Sequence, residues 1–353
     1  LHESTYETHP INHKQHNNWR LSSPHNEHRP LEGSPMSVFD YFADFATRLR
    51  ADWSKHSYNE AVFSELAREH LIEWAPAGQL SWRELLAEFE TNRRYDTYQN
   101  YSGFSDLQLI PYKDSKFYIE VLHWTTGSTT IHEHSFHGAF YLLEGESINA
   151  EYDFTEKVKV NTSFIIGDTQ LEDVRHLKRG DTRIIKPAKG LIHSVFHLAF
   201  PSITIVVRTN DLPWTLPQYE YRTPHIALDT QRVNIDVIKR VQARSLLAET
   251  DADLLRERWV NIVEQASLDE LYWTYRSVSR QWMSPEFSAH SEALIAQKPG
   301  GAEMLMSLAR EKEVDQLIRL RASITDYHQR MLIALLSIIT QRQYLLGFLE
   351  HYY

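Results

Sequence analysis

The sequence predicts a mainly β fold with α-helical additions, in which a β-barrel is flanked by N-terminal helices and followed by an all-α region. Two observations lead to this fold class. Apolar residues recur at helical spacing in 37–100 and again in 229–353, whereas their period shifts toward two in 101–228. Within 101–228, Gly, Asp, Lys and Pro turns separate many short apolar runs, a pattern typical of a sandwich or a closed barrel.

The composition limits the class of protein. The chain has 353 residues, enough for two or three folding units. Its net charge is −10 and it has no basic block interleaved with aromatic residues, so we expect a small-molecule partner and no nucleic acid. Cysteine is absent, which excludes disulfides and thiolate ligands and favours a cytoplasmic location. No apolar run indicates a membrane span or a signal peptide.

Residues 1–36 are predicted to form an N-terminal arm. They are rich in His, Asn, Pro and Ser, and they show little apolar periodicity. The six histidines of this arm do not follow one strand or helix face, so their spacing gives no support to a metal-storage role.

Segment 37–100 is predicted to form helices that pack on the outside of the barrel. Its apolar residues form three stripes at helical spacing. Two capping boxes, Ser57 to Glu60 and Ser81 to Glu84, indicate helix starts, because each offers a hydroxyl to the first turn and a carboxylate back to the cap.

The barrel strands follow in segment 101–228, which ends in a Pro-containing exit segment. We predict them at 104–110, 117–124, 138–144, 147–153, 172–178, 182–186, 193–199 and 202–209.

The stretch from Gly127 to Gly145 is the most informative, because it contains two histidines one residue apart. In a strand, His132 and His134 share one face with Cα atoms about 7 Å apart. At that spacing both rings reach one metal ion at about 2.1 Å. A second stretch, with a Pro/Gly turn followed by His193, supplies the third ligand. The sequence therefore predicts a three-histidine metal site.

Together these two stretches resemble the two motifs of the cupin superfamily. The first motif reads Gly, His-x-His, usually Glu, then Gly, and the second reads Gly, Pro, Gly, His. Counting back from Gly145 across a six-residue spacer reaches Gly138, where most metal cupins carry a glutamate ligand. The run Ile-His-Glu-His-Ser-Phe-His-Gly, without that carboxylate, is similar to the cysteine dioxygenase and thiol dioxygenase branch, and His137 with Gly138 matches the end of its motif.

The resemblance implies a double-stranded β-helix whose metal is Fe(II), with O2 and a substrate thiolate as partners. Ligand type alone would also accept zinc, nickel, copper or manganese. Three neutral imidazoles leave up to three coordination positions open. We therefore expect an Fe(II)-dependent oxygenase acting on a small polar metabolite that binds the metal directly. The alternatives are a cupin isomerase or lyase with a redox-inert ion, and a non-catalytic metabolite or metal sensor.

The wall opposite the metal is expected to differ from that of the family. On strand 202–209 the alignment places Thr204, Val206 and Arg208 on the inward face, where family members present a serine, a histidine and a tyrosine. The early strand 104–110 lacks the family's carboxylate-binding arginine, so cysteine is not the expected substrate. Arg208 either binds an anionic group of the substrate or pairs with a carboxylate at the strand end.

Four further residues are predicted near the site. His137 and His197 are candidates for contact with the ligands or the substrate, although the odd offset of His137 from the ligand histidines turns it off their face. Trp124 and Tyr141 lie next to the motif, and each either supports the site or belongs to ordinary barrel packing.

Two acidic residues of the first motif are expected at the surface. Strand alternation directs Glu133 away from the ligand face, and a turn exposes Glu144. Neither is therefore expected to act as a general base.

Region 229–353 is predicted to form a separate all-α domain that contributes no metal ligand. Ser267 to Glu270 and Ser284 to Pro285 indicate helix starts, and an apolar helix at 331–339 is expected to be core. The sequence leaves open the role of this domain and the oligomeric state, including a homo-oligomer.

Overall fold

Antiparallel β-sheets with helices on their outer faces form the structure, which is a computed structural model. The predicted N-terminal arm lies outside the described residues. The structure describes 37–100, 104–125, 128–212, 217–278, 281–339 and 342–352.

Eleven strands are present in the described ranges, all paired antiparallel. They are β1 (Leu107–Lys113), β2 (Phe117–Trp124), β3 (Ile131–His134), β4 (Gly138–Glu144), β5 (Glu146–Asn161), β6 (Phe164–Lys178), β7 (Thr182–Ile185), β8 (Ala188–His197), β9 (Ser202–Thr209), β10 (Glu220–Arg222) and β11 (Ile226–Leu228).

The helices lie before and after these strands. They are α1 (Val38–Lys55), α2 (Glu60–Trp74), α3 (Trp82–Thr91), α4 (Ile235–Thr250), α5 (Ala252–Gln265), α6 (Leu268–Ser277), α7 (Pro285–Ala296), α8 (Gly301–Ala322), α9 (Tyr327–Ile338) and α10 (Arg342–Tyr352). None of them combines the length and the hydrophobicity that a membrane crossing requires, as far as the described residues go.

The strands form two sheets. Sheet A has the order β1-β2-β9-β4-β7, and sheet B has the order β10-β11-β6-β5-β8-β3. Sheet B closes on itself because β10 also pairs with β3. Since chain neighbours such as β3 and β4 lie in different sheets, the chain alternates between the two. This is an antiparallel β-barrel with helical additions, and it confirms the predicted fold class.

Strand alternation gives sheet A two different faces. On β2, Ile119 and Val121 point outward into a core that also contains Phe42 and Leu49 of α1. The alternate residues of β2 point inward instead. Full burial of one such side chain contributes about 1.5–3 kcal/mol to stability. The N-terminal helices therefore pack on the outer face of sheet A and stabilise it, as predicted.

The C-terminal helices cover sheet B in the same way. Ile148 of β5 and Phe196 of β8 share a core with Leu335 of α9. Further along the sheet, Phe164 of β6 packs with Trp259 of α5. Everything described from residue 37 onward packs as one compact unit, and the division at residue 229 stays a prediction.

One of the predicted helix starts needs correction. The chain turns at Ser57, with φ at 54°, so α2 starts later and Asn59 caps it by accepting the Ala61 N–H at 3.0 Å. The other three starts are confirmed. Ser81 and Ser284 each accept a first-turn N–H through Oγ, and Ser267 is the N-cap residue of α6, although its side chain makes no capping hydrogen bond.

Strands β5 and β6 form a longer hairpin than predicted. They extend over Glu146–Asn161 and Phe164–Lys178, whereas the sequence predicted only 147–153 and 172–178. The outer half of β5 also alternates, since Val158 and Val160 follow one another with lysines in between and before. Both valines pack against the core shared with the C-terminal helices, so this half had a two-residue period that the sequence analysis did not use.

Candidate metal centre

Two neighbouring strands bring the three predicted histidines together. His132 of β3 lies directly opposite His193 of β8. The ring centroids are 4.8 Å apart for His132 and His134, 4.9 Å for His132 and His193, and 5.0 Å for His134 and His193. One ligand nitrogen of each residue lies within 4.8 Å of the other two. The rings thus form a nearly equilateral triangle with room for one ion.

Hydrogen bonds orient two of these rings. His132 Nδ1 donates to the Thr130 carbonyl oxygen at 2.8 Å, which leaves Nε2 as the free lone pair. His193 Nδ1 lies 2.9 Å from Asn149 Oδ1, while Asn149 Nδ2 donates to Glu151 Oε1 at 3.1 Å and so fixes the amide orientation. Such partners hold metal-binding histidines in the correct tautomer.

The three imidazoles are held in the neutral form that binds metal. Burial lowers the pKa of His132 and lowers the pKa of His193 well below its usual value. The pKa of His134 is also strongly lowered, first by burial and then by repulsion from His132, His193 and Arg208. Its Nδ1 is buried without a hydrogen-bond partner among the described residues. The donor set therefore fits a divalent metal.

No carboxylate joins this cluster within the described part of the chain. At Gly138, where most metal cupins have glutamate, an added Cβ would collide with the Val207 carbonyl oxygen and come within 3.1 Å of the Arg208 Cα. A side chain at position 138 is therefore excluded by the backbone of β9. The close packing of β4 against β9 therefore leaves no room for a fourth protein ligand at position 138.

A cavity of about 150 Å³ lies between the histidines and sheet A. Much of its wall is apolar, with aromatic rings on several sides. The apolar lining includes Phe104, Trp124, Phe136, Phe140, Leu142 and Val206.

Strand β9 faces this cavity as the sequence predicted, since Thr204, Val206 and Arg208 all line it. The Arg208 side chain is only 13% exposed, and its Nη1 lies 3.7 Å from Glu120 Oε1. Its Nη2 donates to Asp211 Oδ1. Arg208 therefore lines the cavity and pairs with two carboxylates, while its contact with a substrate stays a prediction.

Glu120 and Gln108 are cavity residues that the sequence reasoning missed. Glu120 is 5% exposed, lines the cavity and accepts a hydrogen bond from Gln108 Nε2. Burial raises the pKa of Glu120, although Arg208 opposes this rise. A glutamate in the apolar run Phe117–Trp124, in phase with the inward residues Leu122 and Trp124, was the available signal.

His197 also lines the cavity. Its Nδ1 lies 2.9 Å from Ser202 Oγ, and its ring stacks on Trp124 at 4.7 Å with 21° between the planes. Burial and the nearby Arg321 lower its pKa to about 3, so the ring is neutral. The Arg321 guanidinium of α8 donates to the His197 carbonyl oxygen, which joins a C-terminal helix to the strand of His193.

His137 and Tyr141 face away from this cavity. His137 is half-buried with Nδ1 at 3.4 Å from Ser64 Oγ of α2, and it is not among the cavity-lining residues. The Tyr141 hydroxyl accepts the Ala77 N–H at 3.3 Å on the outer face of sheet A. Tyr141 thus belongs to barrel packing.

Glu133 points away from the histidines as expected, but it is not a surface residue. It is 2% exposed, and its carboxylate accepts the Tyr221 hydroxyl at 2.7 Å and the Tyr219 N–H at 3.1 Å. The reason is that β10 pairs with the edge of β3 and brings Tyr219 and Tyr221 into contact with Glu133. Glu144 is partly exposed near Arg179, as predicted for a turn.

No protein-family model matches the chain, and no curated protein matches it either. Solved structures similar to it include an RmlC-like cupin from Shewanella frigidimarina, with 13% identity over 31% of this chain and 79% of that one, at a TM-score of 0.21. Hydroquinone 1,2-dioxygenase from Sphingomonas sp. TTNP3 has 11% identity over 32% of this chain and 70% of that one, with a TM-score of 0.24. A structure of DMSP lyases has 14% identity over 29% of this chain and 46% of that one, with a TM-score of 0.22.

Proposed function

We propose that this protein is an Fe(II)-dependent cupin oxygenase, similar to thiol dioxygenases, which acts on a small polar metabolite bound directly to the metal. One observation carries the proposal: three neutral, buried imidazoles converge on one point beside a small cavity, and no carboxylate of the described residues joins them as a ligand. The proposal of iron over zinc, nickel or manganese follows from the motif resemblance.

The ligand set explains why oxygen chemistry is favoured. The three histidine ligands carry no negative charge. The charge of a bound divalent ion must therefore be neutralised by its other ligands. Fe(II), when bound there, supplies open coordination positions for the substrate and for O2.

The remaining residues bind and orient. Asn149 and the Thr130 carbonyl keep the free nitrogens of two rings directed at the ion. The apolar cavity wall excludes water from the reacting groups. The polar groups of sheet A, Arg208 and Glu120 among them, contact the far end of the substrate.

Oxygen consumption by anaerobically iron-loaded protein tests the proposal. We expect near-stoichiometric iron and O2 uptake that depends on a candidate metabolite. His193→Ala should abolish both metal binding and O2 uptake. The same assays run on zinc-loaded protein distinguish the alternatives: turnover without O2 indicates an isomerase or a lyase. Metabolite binding with no turnover under any metal indicates a sensor.

A further inference from the structure

The cavity has a second polar end, which lies on sheet A across from the histidines. Glu120 of β2, Gln108 of β1 and Arg208 of β9 all line the cavity there. The metal ligands all lie on sheet B. A molecule that binds the metal in this cavity therefore shares the space with these three side chains.

This polar end offers acceptors that are not fully used. A carboxylate has about four lone-pair sites, and Glu120 has one hydrogen bond from Gln108 and a longer contact of 3.7 Å with Arg208. Gln108 Oε1 is buried and has no hydrogen-bond partner in the described structure. Two residues that line the cavity thus carry carboxylate or amide oxygens without a full set of donors.

The positive charge at this end is already balanced. Arg208 pairs with Glu120 and with Asp211, so the three groups sum to one negative charge when both carboxyls are ionised. Its guanidinium also stacks over Phe136 at 3.5 Å and over Tyr118 at 4.9 Å. Arg208 is therefore held in place as a partner of Glu120, and a second carboxylate would be repelled by the buried first one.

We propose that the substrate carries a hydrogen-bond donor, a hydroxyl or a protonated amine, on the end away from the metal, and that Glu120 and Gln108 bind this donor. The inference rests on the proposed function, since it takes the other end of the substrate to bind the metal. A cavity of about 150 Å³ with aromatic walls limits the part between these ends to a short apolar body. This replaces the expectation of an anionic group held by Arg208.

Binding to cobalt-loaded protein without oxygen tests the proposal separately from catalysis. Four thiols of similar size serve as probes: 2-aminoethanethiol, 2-mercaptoethanol, propane-1-thiol and mercaptoacetate. Thiolate coordination to cobalt is followed by its absorption band. We expect the amine and the alcohol to bind at least about 10-fold more tightly than propane-1-thiol, because hydrogen bonds to a buried charged group have that effect, and mercaptoacetate to bind most weakly.

Substitutions test whether Glu120 is responsible for this preference. Glu120→Gln should remove most of the preference for the amine, and leave propane-1-thiol binding and cobalt content unchanged. Glu270→Gln is the matched control, since Glu270 is also buried, at 2% exposed, and arginine-paired, but lies on α6. It should keep the wild-type preference.

Two results would overturn the inference. One is tightest binding of mercaptoacetate that is weakened by Arg208→Lys, which would identify an anionic substrate. The other is no difference among the four probes. Neither depends on O2 uptake, so a failure of the proposed oxygenase activity with iron would be seen separately.

Discussion

The two walls of the cavity differ in how they are built. The sheet B wall carries three neutral histidines, two of them oriented by a backbone carbonyl or an amide. The sheet A wall carries a charged pair, Glu120 and Arg208, beside Gln108 and several apolar residues. The wall with the histidines is therefore neutral and preorganised, and the opposite wall is charged. If the proposed function holds, metal binding and substrate selection fall to different sheets.

The largest effect is expected on the sheet B wall. His132→Ala and His193→Ala should each lose the bound metal, because two imidazoles cannot replace the three-histidine set. Elemental analysis of anaerobically purified protein measures this loss.

His137→Ala is the control for these variants, since the His137 side chain contacts Ser64 and does not line the cavity. It should keep full metal content. Retention of metal by both ligand variants would reject the assignment of the site.

The helix behind sheet B gives the next effect. Leu335→Ala should lower the free energy of unfolding by about 2–5 kcal/mol, because this side chain is fully buried against β5 and β8. Leu332→Ala, on the same helix but 42% exposed, should cost less than about 1 kcal/mol. Urea denaturation compares them, and equal losses would contradict the packing of α9 on the sheet.

A smaller effect is expected from the hydrogen bond that orients His193. Asn149→Ala should weaken metal binding by about 10–100-fold, since the ring loses its acceptor. Asn149→Asp keeps an acceptor and should bind metal at least as tightly as wild type. Competition with a chelator measures both affinities, and an unchanged Asn149→Ala variant would show that packing alone orients the ring.

The pH dependence of stability tests whether the His197 ring is shielded from water. The pKa of His197 is about 3 in the folded protein against an ordinary value of 6.5, so below pH 6.5 the unfolded state binds the proton and the folded state does not. Its stabilisation is complete above pH 6.5 and decreases by about 1.4 kcal/mol per pH unit as the pH falls toward 3.

His197→Gln should therefore flatten this part of the profile in metal-free protein. Denaturant unfolding between pH 7 and pH 5 gives the difference between the variant and wild type. A difference that does not change with pH would mean that water reaches the ring.

The smallest effect on metal is expected from the sheet A wall. Arg208→Lys should leave the metal content unchanged, because Arg208 lies across the cavity from the ligands, and it should change only the binding of substrate-like probes. Metal analysis beside the cobalt titrations checks this. Loss of metal would show that the two walls depend on each other.

The sequence predicted the metal end far better than the substrate end. His132, His134 and His193 follow from a two-residue period and a turn, which are local properties of the chain. Glu120 and Gln108 reach the same cavity from β2 and β1, and their meeting with β9 is set by strand order, which no local pattern contains. The buried position of Glu133 was missed for the same reason, because β10 covers it from a distant part of the chain.

The close contact of Gly138 with β9 also limits how the site can change by mutation. Every residue other than glycine adds a Cβ that collides with the backbone beside Arg208. A glutamate at this position could join the histidines only if the backbone of β9 moved, and Arg208 would move with it. A fourth ligand would therefore disturb the opposite wall of the cavity as well as the ligand set.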